Sequence, residues 1–239
     1  MTAHVAVVTG GSRGIGRAIV ERMYADGAQV VTCGRGDRPA YLPDDVRWVR
    51  ADVARPDDVS RLVADAHDAF GPVSALVNNA GVLVARTVAD STDDDWDQQV
   101  GVNCRGVFNT SRAVLPDMTE HGGVIVNIGS ISGVVADLSS ALYNASKAFV
   151  HALTRSIAID HGPQVRCNAV LPGWIETDMT APVRTPEMRT FNDEILARTP
   201  AGRWGQSEEV AGAAVFLASR ASQFVTGETI RVDGGYSIR

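Results

Sequence analysis

The 239-residue chain carries 22 Lys and Arg against 28 Asp and Glu, a formal net charge of −6, and is 45% hydrophobic with three cysteines. A net negative chain without a basic cluster is not built for nucleic acid, and no apolar run approaches the roughly 18 residues of a membrane span. Its length suits a single α/β domain, and no linker, low-complexity tract or composition break divides it.

Cys33, Cys104 and Cys167 are odd in number and scattered. They read as reduced thiols of a cytoplasmic chain. A core of this size needs neither disulfide nor metal. The N-terminus shows no cationic region ahead of Val5-Ala6-Val7-Val8, which is too short for a signal sequence.

Ala3 to Thr9 is a Val-rich run of the kind found in buried parallel strands. It breaks into Thr9-Gly10-Gly11-Ser12-Arg13-Gly14-Ile15-Gly16, and a helical pattern follows from Arg17 to Ala25. Strand, glycine turn and helix in this order place a phosphate on a helix N-terminus. The spacing is G-x-x-x-G-x-G rather than the common G-x-G-x-x-G. A second strand runs from Gln29 to Cys33. An acid near the end of this strand holds the ribose 2′-hydroxyl when the cofactor is NAD. Here Gly34 takes that place and Arg35 follows, with Arg13 in the glycine turn. Two guanidiniums suit a 2′-phosphate and favour NADP(H) over NAD(H). Asp37 points the other way if the strand runs longer.

Val46 to Arg50 reads as the third strand and ends at Asp52-Val53. Asp57 to Phe70 is a helix between Pro56 and Gly71. Val73 to Val77 is a fourth strand, closing on Asn78-Asn79-Ala80-Gly81. Small and amide residues at such an end suit either a ligand or a turn. Asp94 to Asp117 is helical in pattern, with Asn103 inside it against its propensity. Gly123 to Ile128 is the fifth strand and runs into Gly129-Ser130-Ile131-Ser132-Gly133. Ala141 to Ile159 is a helix that carries Tyr143 and Lys147 one turn apart on one face. A lysine cation beside a phenol pulls its pKa down and fits it for proton transfer. Alone, the pair reads more simply as a core aromatic beside a solvated lysine, since a spacing of four is common. A last helix from Gln206 to Leu217 and a strand from Glu228 to Val232 complete the pattern.

Taken together, these pieces resemble the short-chain dehydrogenase/reductase family. The matching features are the turn Thr9–Gly16, Asp52-Val53, Asn78–Gly81, Asn103, Ser130, Tyr143-x-x-x-Lys147, Pro172-Gly173 and the late Asp233-Gly234-Gly235. They stand in the family's order and cover nearly the whole chain. The resemblance implies a single doubly wound Rossmann-type domain, a seven-stranded parallel sheet with helices on both faces. It implies a catalytic group of Asn103, Ser130, Tyr143 and Lys147. Tyr143 is the acid or base, Lys147 its tuner, Ser130 the group that holds the substrate oxygen, and Asn103 the holder of a water that links Lys147 to solvent. Ser132 is a rival for Ser130.

The cofactor set implied is Gly10, Ser12, Arg13, Gly14, Ile15, Gly16, Arg35, Asp52, Val53, Asn79, Ala80 and Gly81. Tyr143, Lys147, Pro172, Gly173, Ile175 and Thr177 complete it, with no metal. Residues 175–203 correspond to a variable substrate lid, with Trp174 at its root.

Inside the family the chain is similar to 3-oxoacyl-acyl-carrier-protein reductases, through Arg203-Trp204-Gly205, Glu208-Glu209-Val210-Ala211 and Val232-Asp233-Gly234-Gly235. The resemblance therefore implies reduction of a 3-oxoacyl thioester, with an acyl carrier protein as partner. The alternative is a reductase of free small or cyclic ketones. The arginines such enzymes place beside the mouth are missing at 120–122 and 161–164, although Arg166 and Arg112 lie close in sequence. A non-catalytic dinucleotide sensor is the distant alternative. A homotetramer, or a dimer, is the family's expected assembly.

Overall fold

The computed structural model describes residues 5–238. Seven parallel strands form one sheet in the order β3-β2-β1-β4-β5-β6-β7. They are β1 (Val5–Thr9), β2 (Gln29–Gly34), β3 (Arg47–Arg50), β4 (Ala75–Asn78), β5 (Gly123–Ile128), β6 (Val165–Pro172) and β7 (Thr229–Val232). The first two residues of the expected first strand, Ala3 and His4, lie outside the described residues.

Alternation along the strands divides the core into two layers. Val5 and Val7 of β1 join Leu76 and Ile125 on one face. Ala6 and Val8 join Ala75, Val77, Val124 and Val126 on the other. The first face is covered by α2 (Pro56–Phe70), α4 (Val107–His121) and α5 (Ala141–His161). The second is covered by α1 (Gly14–Ala25) and α7 (Ser207–Ala218). Because the inner strands have neighbours on both edges and helices on both faces, they read as apolar runs, while the edge strands β3 and β7 are partly exposed. The sheet winds one way from β1 to β3 and the other way from β4 onward. That reversal opens a crevice beyond the carboxyl ends of β1 and β4.

The long helical stretch around Asn103 is not one helix. The segment α3 (Asp93–Val100), capped by Thr92 and Asp95 in a reciprocal box, leads into a π-helical turn over Gly101–Gly106 and then into α4. The lid is also more ordered than its Thr-, Pro- and Met-rich sequence suggested. It contains two short 3₁₀ turns, Ala181–Arg184 and Pro186–Met188, and α6 (Arg189–Arg198).

A buried polar seam crosses the middle of the sheet. Asn78 donates to Asn127 Oδ1 (2.9 Å) and Ser111 Oγ (3.1 Å) and accepts from Thr110 Oγ1 (2.6 Å). Asn127 donates onward to Thr154 Oγ1 (2.9 Å). Paired in this way, the amides avoid the cost of dry, unsatisfied groups and fix the register of β4, β5, α4 and α5 at the floor of the crevice. Arg166 lies far from any mouth: its guanidinium donates to the carbonyls of Leu217, Ser219 and Val225 and ties α7 to β6.

Candidate active site

The crevice holds a cavity of about 790 Å³. Every residue expected to meet the cofactor lines it, and so do Ser130, Tyr143 and Lys147. Asn103 does not.

The glycine turn is built by close backbone contact. Gly10 has φ +68°, and a Cβ there would stand 2.9 Å from Ala80 Cα. A Cβ on Gly16 would stand 2.2 Å from the Gly10 carbonyl oxygen. Only glycine permits both. Asn79 then resolves as a fastener: its Nδ2 donates to the carbonyls of Thr9 (3.0 Å) and Gly10 (3.1 Å), while its N–H and that of Ala80 reach Thr9 Oγ1. Arg13 precedes α1 without capping it by its side chain. The first-turn N–H groups of α1 thus face the cavity as an anion site.

At the adenosine end β2 stops at Gly34, and Asp37 is not part of the cavity wall. The Trp48 indole fills the place of a side chain at residue 34, its Cη2 2.7 Å from where a Cβ would be. No acid fits there without displacing that ring. Arg35 is exposed on the cavity wall. Arg13 lines the cavity with the rest of the glycine turn, and its Nη1 also contacts Asp178 Oδ2 at 3.3 Å, bridging the turn to the lid root, with both side chains largely exposed.

Tyr143 and Lys147 are both buried on α5, and Lys147 Nζ lies 5.6 Å from the phenol ring centre. Lys147 Nζ donates to the Ile128 carbonyl at 2.9 Å. The phenol does not show the lowered pKa that the pairing suggested. Burial pushes it up to about 12, against a hydrogen bond from Ser130 that pulls it down. Burial also lowers Lys147 to about 8. In this dry setting loss of hydration outweighs mutual attraction.

Ser130 follows β5 and lies in a chain of bonds. Its Oγ accepts from the Ser132 N–H (3.1 Å) and bonds Ser132 Oγ (3.0 Å), which donates to Asp137 Oδ2 (2.5 Å). Ser132 is thus hydrogen-bonded to Ser130, and both line the cavity. Asn103 stands behind Gly81. Its Oδ1 accepts from Val82 N–H, and its Nδ2 donates to the Val82 carbonyl (2.9 Å) and Ser146 Oγ (3.0 Å). It braces the loop after β4 against α5.

Several side chains of the site carried no sequence signal of their own. Asp137 lies in the loop before α5, and Arg198 and Tyr236 close the substrate end. His151, one turn beyond Lys147, is buried in space left by two glycines: Cβ atoms on Gly129 and Gly133 would stand 2.6 and 2.5 Å from its ring. Burial lowers its pKa to about 4, so the wedge is neutral. The Gly129-x-x-x-Gly133 spacing was the available clue. Trp174 both lines the cavity and packs, its ring edge-on to Trp204 (5.4 Å), Phe191 (5.7 Å) and Tyr236 (6.2 Å).

Over residues 10–237 the chain matches the family model described as Enoyl-(Acyl carrier protein) reductase. It is 40% identical to the 2-(R)-hydroxypropyl-CoM dehydrogenase of Xanthobacter autotrophicus, across 98% of this chain and 99% of that one. The chain belongs to the short-chain dehydrogenase/reductase family. Like its relatives, it is an NAD(P)-dependent oxidoreductase acting on CH–OH groups. It is 38% identical to a 3-oxoacyl-[acyl-carrier-protein] reductase of Vibrio cholerae, covering 97% of this chain and 96% of that one. Among solved structures, a gluconate 5-dehydrogenase from Burkholderia cenocepacia in complex with NADP and tartrate superposes with a TM-score of 0.93. That structure shares 34% identity and covers 100% of this chain and 97% of its own. These named substrates differ widely, so family membership carries the reaction type and not the substrate.

Proposed function

We propose that the protein is an NADP(H)-dependent reductase of a ketone to a secondary alcohol, reversible, with Tyr143 as proton donor in reduction. The observation that carries this is the convergence of Tyr143, Lys147 and Ser130 on one cavity that also contains a glycine turn and an open helix N-terminus. The wall fits a dinucleotide phosphate: the α1 N–H groups suit the pyrophosphate, and Arg35 beside an acid-free Gly34 suits a 2′-phosphate. The bound nicotinamide supplies the reducing equivalent.

The protein's part is orientation and the proton. A phenol held near 12 is protonated at neutral pH and stands ready to donate as negative charge builds on the carbonyl oxygen. The Ser130 hydroxyl steadies the same oxygen. Lys147 brings a positive charge that favours the tyrosinate left behind, and Asn103 fixes the loop that carries Gly81. In the oxidative direction the same groups run in reverse.

For the substrate, the charged and aromatic wall beyond Ser130 favours a free polar ketone. The relatives named as 3-oxoacyl reductases support the thioester reading, with an acyl carrier protein as the matching partner. The test is Tyr143→Phe. It should keep NADPH binding, read by protein-to-nicotinamide fluorescence transfer, and lower turnover by about 10²- to 10⁴-fold. Turnover within tenfold of the parent enzyme would remove Tyr143 from the proton step.

A further inference from the structure

The substrate end of the cavity has an unusual mixture of groups. Asp137 spends Oδ2 on Ser132, while Oδ1 has no partner among the described residues. Its backbone is fixed by Asn144, whose Nδ2 donates to the Asp137 carbonyl at 3.0 Å. Arg198 forms no ion pair among the described residues. Its guanidinium lies over the Tyr236 ring at 4.3 Å and acts electrostatically on Asp137. Glu194, one turn earlier on α6, lines the same wall, as do the rings of Trp174 and Phe191.

An acyl chain placed here would strip water from the free Asp137 oxygen and from the Arg198 guanidinium, whose Nη1 keeps only the Tyr236 hydroxyl at 3.5 Å, which is costly. A cationic occupant would face both Arg198 and Lys147. An anionic one would face Asp137 and Glu194. Hydroxyl groups meet neither repulsion, because each can donate to a carboxylate and accept from a guanidinium. Aromatic edges beside such polar groups suit the C–H surface of a hydroxylated carbon chain.

We infer that Asp137 and Arg198 select a polyhydroxylated substrate, with Asp137 Oδ1 accepting from the hydroxyl on the carbon next to the one that is oxidised or reduced. The position follows from connectivity. Asp137 is two hydrogen bonds from Ser130, the residue assigned to the reacting oxygen, so the neighbouring hydroxyl falls within its reach. Sugars and polyols share this chemistry. The inference rests on the reading of the cavity as a ketone–alcohol site.

The test compares pairs that differ by one hydroxyl: 3-hydroxy-2-butanone against 2-butanone with NADPH, and 2,3-butanediol against 2-butanol with NADP⁺. An aldohexose, an aldonic acid and a 3-oxoacyl thioester complete the panel. The parent enzyme should prefer the hydroxylated member by at least tenfold in kcat/KM. Asp137→Ala should shrink that preference by about 10- to 100-fold, the range of a hydrogen bond to a charged group. Asp137→Asn keeps an acceptor for Ser132 and should shrink it by roughly threefold or more. The aldohexose should be preferred over the aldonic acid, whose carboxylate would face Asp137 and Glu194; the reverse order would overturn the inference.

Equal losses on both members of a pair would make Asp137 a merely structural residue and overturn the inference. So would a parent enzyme that prefers 2-butanone or the thioester, although the reductase reading would then stand. Absence of turnover of every ketone and alcohol, with NADPH bound, would instead remove the reductase reading and this inference with it.

Discussion

Lys147 is a buried cation held at a cost to the fold. Its pKa falls from 10.5 to about 8 in the folded protein. Each unit is worth about 1.36 kcal/mol, so the charged lysine costs the fold roughly 3 kcal/mol. Lys147→Met keeps most of the volume and removes the charge. It also strands the Ile128 carbonyl that Nζ now bonds, which costs roughly 1–2 kcal/mol. The variant should therefore be more stable than the parent at pH 7 by about 1–2 kcal/mol, roughly 2–8 °C in Tm for a chain of this size.

The difference should depend on pH in a definite way. Below pH 8 the lysine is charged in both states, and the full cost is present. Between pH 8 and 10.5 the unfolded chain holds a proton that the folded chain has released, so parental stability rises with pH. The gap between the two proteins should narrow across that window and reverse at about pH 9 to 9.5. Calorimetry of both proteins without cofactor, from pH 7 to 10, reads this directly. Because every other titrating group is shared, the difference isolates Lys147. A variant less stable than the parent at pH 7, or a gap that ignores pH, would refute the buried-cation account.

Asn103→Ala leaves Val82 and Ser146 without their side-chain partner. It should cost about 2–4 kcal/mol and lower Tm by roughly 5–15 °C, seen by thermal unfolding, whatever it does to turnover. A Tm within 2 °C of the parent would mean that Asn103 is no brace. Arg35→Ala should raise the KM for NADPH by about 10- to 100-fold and that for NADH by less than threefold. Equal effects in steady-state kinetics would remove Arg35 from the 2′-phosphate.

The sheet was legible because its inner strands are buried on both faces and so appear as Val- and Ile-rich runs between glycine and amide punctuation. Tyr143 and Lys147 were legible because helical spacing turns a sequence distance of four into a shared face. Other features were hidden for physical reasons. The pKa of Tyr143 depends on how much water surrounds it, which spacing does not report, and desolvation reversed the expected direction. The contact of Arg13 with Asp178, 165 residues away, exists only through the fold. Asp137, Arg198 and Tyr236 come from three separate segments and meet only through the fold. The lid gave no periodic signal because its order comes from Trp174, Trp204 and Phe191 packing on one another rather than from an amphipathic stripe.

The π-helical turn at Gly101–Gly106 amounts to one inserted residue in an otherwise continuous α-helix. At 3.6 residues per turn, one residue rotates everything beyond it by about 100°. Upstream of it, Gln99 faces the loop after β4 and bonds Val84; downstream, Asn109 and Thr110 face Val53 and Asn78. A strictly regular helix could not present both sets in their present directions. A single-residue deletion within this turn would therefore act as a change of phase: each half of the helix would keep its own pattern, but only one half could stay in step with the sheet. Length in this segment is constrained as tightly as residue identity, and an amino-acid scan by substitution alone would not reveal it.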